Sequence, residues 1–161
     1  MDLSKDREIT PGIDFHQLKI SEENLIYAQI WDLGGQTYFR DFQEKFFESE
    51  HVIILTFSVV RFPSFINIES WLPLIKKENL IQTYLLANKI NSKPRVVSKE
   101  DALKIAQKNN MRYFEISALT GEGFCDFQED LIESIKNALL VFHIKKQYID
   151  ITYQNGKKSR K

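Results

Sequence analysis

The sequence predicts an α/β domain in which a mostly parallel sheet is flanked by helices, formed by one unit of 161 residues. Three observations predict it. Strand-like and helix-like segments alternate along the chain, which is the pattern of parallel strands joined by crossover helices. Val52-Ile53-Ile54-Leu55-Thr56-Phe57 is a continuous apolar run, as expected of a strand covered on both faces. Polar loops beginning at Asp32, Asn88 and Ser117 each follow a strand-like segment, and ligands of such sheets sit at the carboxyl ends of the strands.

The elements follow in order. Residues 1–10 are polar and carry no regular pattern. Ile13 to Ile20 and Leu25 to Trp31 read as two strands joined by the turn Ser21-Glu22-Glu23-Asn24, hence a hairpin. Gln36 to Glu48 reads as an irregular helix, followed by the strand Val52–Phe57. Ser64 to Lys77 places Phe65, Ile68, Leu72 and Ile75 on one helical face. Pro73 lies inside that segment and should kink it by removing a backbone donor. Thr83 to Ala87 is another strand. Ser98 opens a helix as N-cap with Asp101 three residues on, and Ala102, Ile105 and Ala106 form its buried stripe. Tyr113 to Ile116 is the last of these strands. Phe124, Phe127, Leu131, Ile135, Leu139 and Phe142 recur at steps of three and four and define a long final helix. The domain is expected over residues 1–144, with a tail over 145–161.

Composition excludes several classes. The apolar fraction of 43% and charged fraction of 27% are those of a soluble globular protein. Formal net charge is zero, so no whole-chain field draws the protein to nucleic acid or membrane. Cys125 is the single cysteine, which rules out an internal disulfide and suits a reducing cytoplasm. No apolar run is long enough to span a bilayer, the charged start is not a signal peptide, and no terminal cysteine is available for prenylation. His16, His51 and His143 have no metal-ligand spacing. The basic end Gly156-Lys157-Lys158-Ser159-Arg160-Lys161 reads as a solvated tail with at most weak attraction to an anionic membrane.

Four motifs stand in sequence order: Thr10-Pro11-Gly12-Ile13-Asp14-Phe15, Asp32-Leu33-Gly34-Gly35-Gln36, Asn88-Lys89-Ile90-Asn91 and Glu115-Ile116-Ser117-Ala118. Each alone is weak; in this order, each in a loop, they are specific. Over roughly residues 7–140 the chain resembles the Ras-superfamily small GTPases, a P-loop NTPase-like fold. It is Rab-like around Thr10–Phe15 and Phe46–Phe65, with a second switch that looks more like Arf. The resemblance implies a GTP/GDP molecular switch that uses Mg²⁺ and engages protein effectors and regulators. Thr10 and Asp32 would serve the ion, and the Gly35 N–H would sense the terminal phosphate, because glycine lets the backbone come close. Gln36 would be the catalytic residue that orients the attacking water. Asn88, Lys89, Asn91, Ser117 and Ala118 would hold the base. Phe15, Trp31 and Phe46 match the aromatic triad that Rab proteins present to effectors; the bland alternative is that they are core.

Two departures stand out. Where the family pattern ends N-K-x-D, this chain has Asn91. Guanine presents two donors on that edge; a carboxylate offers two acceptors, an amide one acceptor and one donor. One contact thus becomes donor against donor, at a cost of about 1–3 kcal/mol. This leaves guanine or xanthine preference open. The lysine that usually follows Ser-Ala is Leu119 here.

The second departure is upstream. Only nine residues precede Thr10, and the sequence contains no G-x-x-x-x-G-K-S/T, the loop that cradles phosphates. Losing about five charge-assisted bonds of roughly 1.5–3 kcal/mol each removes most of the roughly 12 kcal/mol of a nanomolar complex. This chain alone is therefore expected to bind GTP poorly and hydrolyse it weakly. In the family, the strand preceding that loop lies between those of Leu25–Trp31 and Val52–Phe57, so its lack leaves two open edges. Three readings remain: a truncated product of a complete GTPase, a nucleotide-free relative acting as an interaction module, or a strand at Tyr148–Tyr153 that fills the gap by a right-handed crossover.

Overall fold

A computed structural model describes residues 12–21, 26–35, 52–75 and 81–156. Strands β1 (Ile13–Ser21) and β2 (Ile26–Leu33) form an antiparallel hairpin in register Phe15↔Trp31 and Gln17↔Gln29. Strands β3 (Val52–Ser58), β4 (Gln82–Asn88) and β5 (Arg112–Glu115) form a parallel sheet in the order β3-β4-β5. Among the described residues the hairpin and the parallel sheet are separate sheets, as the expected gap between Trp31 and Val52 requires. Leu33 at the end of β2 nevertheless packs against the main core.

Alternation along β4 divides the core in two, because successive side chains of a strand point to opposite faces. Leu85 and Ala87 join Ile53, Leu55 and Phe57 of β3 on one face. That face is covered by Phe65 of α1 (Phe62–Ile66), Ile68 and Trp71 of α2 (Ile68–Trp71), and Ala102 and Ala106 of α3 (Lys99–Lys108). Tyr84 and Leu86 face the other way, with Ile116 and with Phe127 of α4 (Phe124–Gly156). Phe127 meets Tyr84 edge-on, ring centroids 5.5 Å apart, and Phe114 at 5.7 Å.

β4 is thus the strand buried on both faces. The sequence assigns that role to Val52–Phe57, and the structure corrects it: β3 buries Ile53, Leu55 and Phe57 but leaves Ile54 40% exposed. The helix on that face, α4, packs over β4 and β5 and leaves Ile54 and Thr56 of β3 open among the described residues. The helix expected over Ser64–Lys77 is also revised. It begins at Phe62, with Pro63 in its first turn, breaks at Asn67, and passes through α2 into the 3₁₀ turn Leu72–Leu74 around Pro73, after which Ile75 is extended. The missing donor of proline does more here than kink the helix; it ends it.

Ser98 caps α3 as expected, its Oγ accepting from Asp101 N–H at 3.0 Å. The third reading of the gap, a strand at 148–153, is corrected: those residues lie within α4, which also runs through the expected boundary at residue 144. No proline interrupts the helix, and its first glycine is Gly156, so nothing in the chain stops it earlier.

A buried polar knot ties α4 to the sheet. Tyr84 OH donates to Asp130 Oδ1 (2.7 Å) and approaches Ser134 Oγ (2.8 Å), and Arg112 donates to the same Asp130 oxygen at 2.6 Å. Burial raises the Tyr84 phenol above its ordinary value, so it stays a donor. Tyr84→Phe leaves Asp130 and Ser134 short of one partner and should lower unfolding free energy by about 1–2 kcal/mol. Urea unfolding monitored by circular dichroism checks this; an unchanged midpoint would show that the knot does not hold the helix.

Candidate functional site: the carboxyl rim of the parallel sheet

Parallel register brings the strand ends to one rim. Ser58 pairs with Asn88, and Ala87 with Glu115. The chain continues the ladder past each strand: Val59 N–H donates to Asn88 O (3.0 Å), and Ile116 N–H donates to Ala87 O (2.8 Å). The loops after β4 and β5 therefore leave the sheet side by side.

Asn88 locks them together. Its Oδ1 accepts from its neighbour Lys89 N–H at 2.6 Å and from Ala118 N–H at 3.1 Å. Lys89 adopts φ 66°, a left-handed conformation that costs a non-glycine residue energy and clusters at functional sites. Ile90 N–H reaches Ile116 O at 3.4 Å. Ser117, fully buried, donates its Oγ–H to Asn91 Oδ1 (2.8 Å) and accepts from Thr120 N–H (3.1 Å). Its backbone N–H donates to Glu122 O (2.9 Å), and its carbonyl accepts from Gly121 N–H (2.8 Å). Asn88, Lys89, Asn91, Ser117 and Ala118, separated by up to 30 positions, are thus one hydrogen-bonded unit. Ser58 Oγ, at the end of β3, is buried without a partner among the described residues.

A second layer braces the rim. Arg95 donates to Glu115 Oε1 (2.5 Å) and to Val97 O, and Tyr113 OH donates to the same Glu115 oxygen at 2.7 Å. Burial alone would raise the Glu115 carboxyl, but the Arg95 and Tyr113 hydrogen bonds outweigh it and hold it below its ordinary value. Burial and that carboxylate push the Tyr113 phenol upward. Gly123 is fixed by packing: a Cβ there would sit 2.1 Å from Glu115 O.

The Asp32 loop lies at the end of β2. Asp32 is exposed, and Gly34 N–H donates to Gly12 O at 2.8 Å. A Cβ added at Gly35 would meet nothing within 4 Å, so packing among the described residues does not demand glycine there. Mg²⁺ is held by one or two carboxylates together with substrate phosphates and waters. Asp32, an exposed carboxylate at a strand end directly opposite Asp14, is compatible with that donor set; no cluster of three acidic, histidine or cysteine side chains suited to a metal occurs among the described residues. Phe15 (46% exposed) and Trp31 (41% exposed) lie opposite each other on the hairpin, ring centroids 5.0 Å apart, with Tyr27 exposed on the same face. Exposure at this level is not that of core residues. His16 lies 3.3 Å from Asp14 on the hairpin surface. Thr10, Gln36 and Phe46 fall outside the described residues.

Sequence reasoning missed Arg95, Tyr113 and Thr120. Arg95 and Glu115 are 20 positions apart with no periodic signal between them. Only Glu115, inside the quoted Glu-Ile-Ser-Ala motif, carried a hint.

An α/β domain whose parallel sheet gathers asparagine and serine loops at its carboxyl rim, with an aspartate at the end of a separate hairpin, fits the architecture of a small GTPase. Comparison with known proteins agrees: residues 2–137 match the Ras family, and the chain belongs to it. It is 34% identical over 116 residues to Ras-related protein Rab-26 of Mus musculus, covering 70% of this chain and 45% of that protein. It is 33% identical over 131 residues to Ras-related protein Rab-18-B of Danio rerio, covering 78% of this chain and 63% of the relative. For Ras-related protein Rab-18 of Caenorhabditis elegans the figures are 33% over 132 residues, 78% and 64%. The chain thus spans about half to just under two thirds of the length of these relatives. Among the described residues no helix is long and apolar enough to cross a membrane.

The Glu115 brace should show in acid. A carboxyl lowered in the folded state adds stability above its ordinary value of 4.5 and loses it as pH falls through the lowered one. The native protein should therefore lose stability steeply below that value, and Glu115→Gln should be less stable near neutrality with a flatter acid limb. Thermal melts across pH check this; parallel curves for the two proteins would contradict it.

Proposed function

We propose that this Ras-family chain is a nucleotide-dependent switch, GTP/GDP with Mg²⁺ by family, in which the β4 and β5 loops read the base and the hairpin meets protein partners. The observation that carries the reading is the hydrogen-bonded unit of Asn88, Lys89, Asn91, Ser117 and Ala118. Left-handed Lys89, an amide bridging two loops and a fully buried serine meet at this one rim. A base-reading pocket requires such preorganisation. Asp32 and Thr10 would serve a magnesium ion brought with the nucleotide, whose charge neutralises the developing phosphate charge. Gln36 would orient water, and Gly35 would sense the terminal phosphate.

Hydrolysis by these 161 residues alone is weak in this reading. The sequence supplies the base end of the site and the switch loops but no phosphate-cradling signature, and phosphoryl transfer depends on that positioning. A second reading, a nucleotide-independent interaction module, is favoured by one observation: the exposed Phe15–Trp31 pair, a rigid aromatic surface of the kind that anchors protein partners.

Titration of the purified chain with fluorescently labelled GDP tests the first reading. Saturable binding with Kd of about 1 μM or weaker is expected, reduced at least ~10-fold in Asn88→Ala, with negligible turnover of GTP. Absence of saturable binding, with partner capture that depends on Trp31, would favour the interaction module. Turnover abolished by Gln36→Leu would contradict the weak-hydrolysis claim.

A further inference from the structure

Helix α4 continues well past the sheet that it covers. Phe127, Asp130, Leu131 and Ser134, which tie it to that sheet, lie in its first turns. The backbone stays helical to Gly156, so residues 135–156 run on for about 33 Å at the helical rise per residue. Leu139 is 42% and Leu140 64% exposed. The same stretch carries Ile144, Ile149, Ile151 and Thr152, β-branched residues that favour a helix only weakly. Helices in proteins draw most of their stability from packing an apolar face, so a helix of this composition calls for a surface to pack on.

Its sequence repeats with a period of seven. Ile132, Ile135, Leu139, Phe142, Lys146, Ile149 and Tyr153 recur at alternating steps of three and four, the spacing of the a and d positions of a coiled coil. Ile132 and Ile135 are half-buried, and the seam leaves the domain at the exposed Leu139. Lys146 is the one charged residue in the seam; a single lysine there specifies register and strand number at a cost in stability.

Charge decides the direction of pairing. In a parallel pair, Lys145 at a g position stands against Asp150 at an e position of the second copy, and symmetry makes this contact twice. In an antiparallel pair with the seams matched, Glu129 stands against Asp150, like charges twice over. A membrane surface suits the helix less well. An interfacial helix sets one apolar face against one polar face, whereas positions 140, 144 and 151, also apolar, fall on the side of the helix away from the seam.

We propose that two copies of this chain associate through a parallel coiled coil formed by the carboxyl part of α4. The helix starts beside the rim, after Gly123, and by Ser134 it has reached Tyr84 and Arg112 near the starts of β4 and β5. The coil therefore leaves the sheet at the end opposite the nucleotide rim, and the pairing stands or falls independently of nucleotide binding.

Sedimentation equilibrium of the full chain tests this, with Cys125→Ser to exclude chance disulfides through that exposed thiol. The mass should rise from one chain toward two as the protein is concentrated. Leu139→Glu should weaken association at least ~10-fold, with the amide NMR spectrum of β3–β5 unchanged. Lys145→Glu and Asp150→Lys should each weaken it, and the double variant should restore it. Tyr153→Cys in the Cys125→Ser background should give a 153–153 disulfide on mild oxidation, which only the parallel pair allows. A mass of one chain at every concentration would overturn the proposal, and co-sedimentation of that monomer with phosphatidylserine vesicles would assign the helix to a membrane instead. A mass of three or more chains, failure of the double variant to restore pairing, or a dimer that forms no 153–153 disulfide would also overturn it.

Discussion

Parallel pairing of β4 with β3 on one side and β5 on the other is the constraint on which the rest depends. Register Ser58↔Asn88 and Ala87↔Glu115 brings two sequence-distant loops out of the sheet together. The Asn88 carboxamide then needs only to reach Lys89 and Ala118 N–H to lock them. β4 can hold that position because it is buried on both faces, by α1, α2 and α3 on one and α4 on the other. The candidate site lies at the end of the strand that is buried on both faces.

Around this rigid half, the structure is built from weaker connections. The hairpin forms its own sheet and meets the core through Leu33. β3 keeps Ile54 and Thr56 open on one face, and Ser58 Oγ has no partner there among the described residues.

The meeting of the loops after β4 and β5 was legible in the sequence because short polar motifs followed strands in a fixed order. The continuous apolar run pointed to a strand covered on both faces, a description that fits β4 instead, since residues 82–88 carry Gln82, Thr83 and Tyr84 and look less apolar than they are buried. Tyr84 is fully buried because Asp130 and Ser134 satisfy its hydroxyl, a long-range pairing that no local pattern announces. The strand option at 148–153 followed β-propensity, which yields to the uninterrupted helix that begins at Phe124. The Arg95–Glu115–Tyr113 brace was illegible for the same reason as the tyrosine knot: its members meet only after the sheet has formed. The exposure of Phe15 and Trp31 was likewise a matter of which face the hairpin leaves uncovered.

The central claim is that the β4 and β5 loops together form a base-reading rim. Backbone amide NMR of the labelled chain, followed as purine nucleoside diphosphate is added, tests it most directly. The account predicts coordinated shifts at Lys89, Ile90, Ser117, Ala118 and Thr120, with the α3 amides at Lys104 and Lys108 unmoved. Shifts confined to the hairpin or to α3, with Lys89 and Ala118 unchanged at saturation, would contradict it.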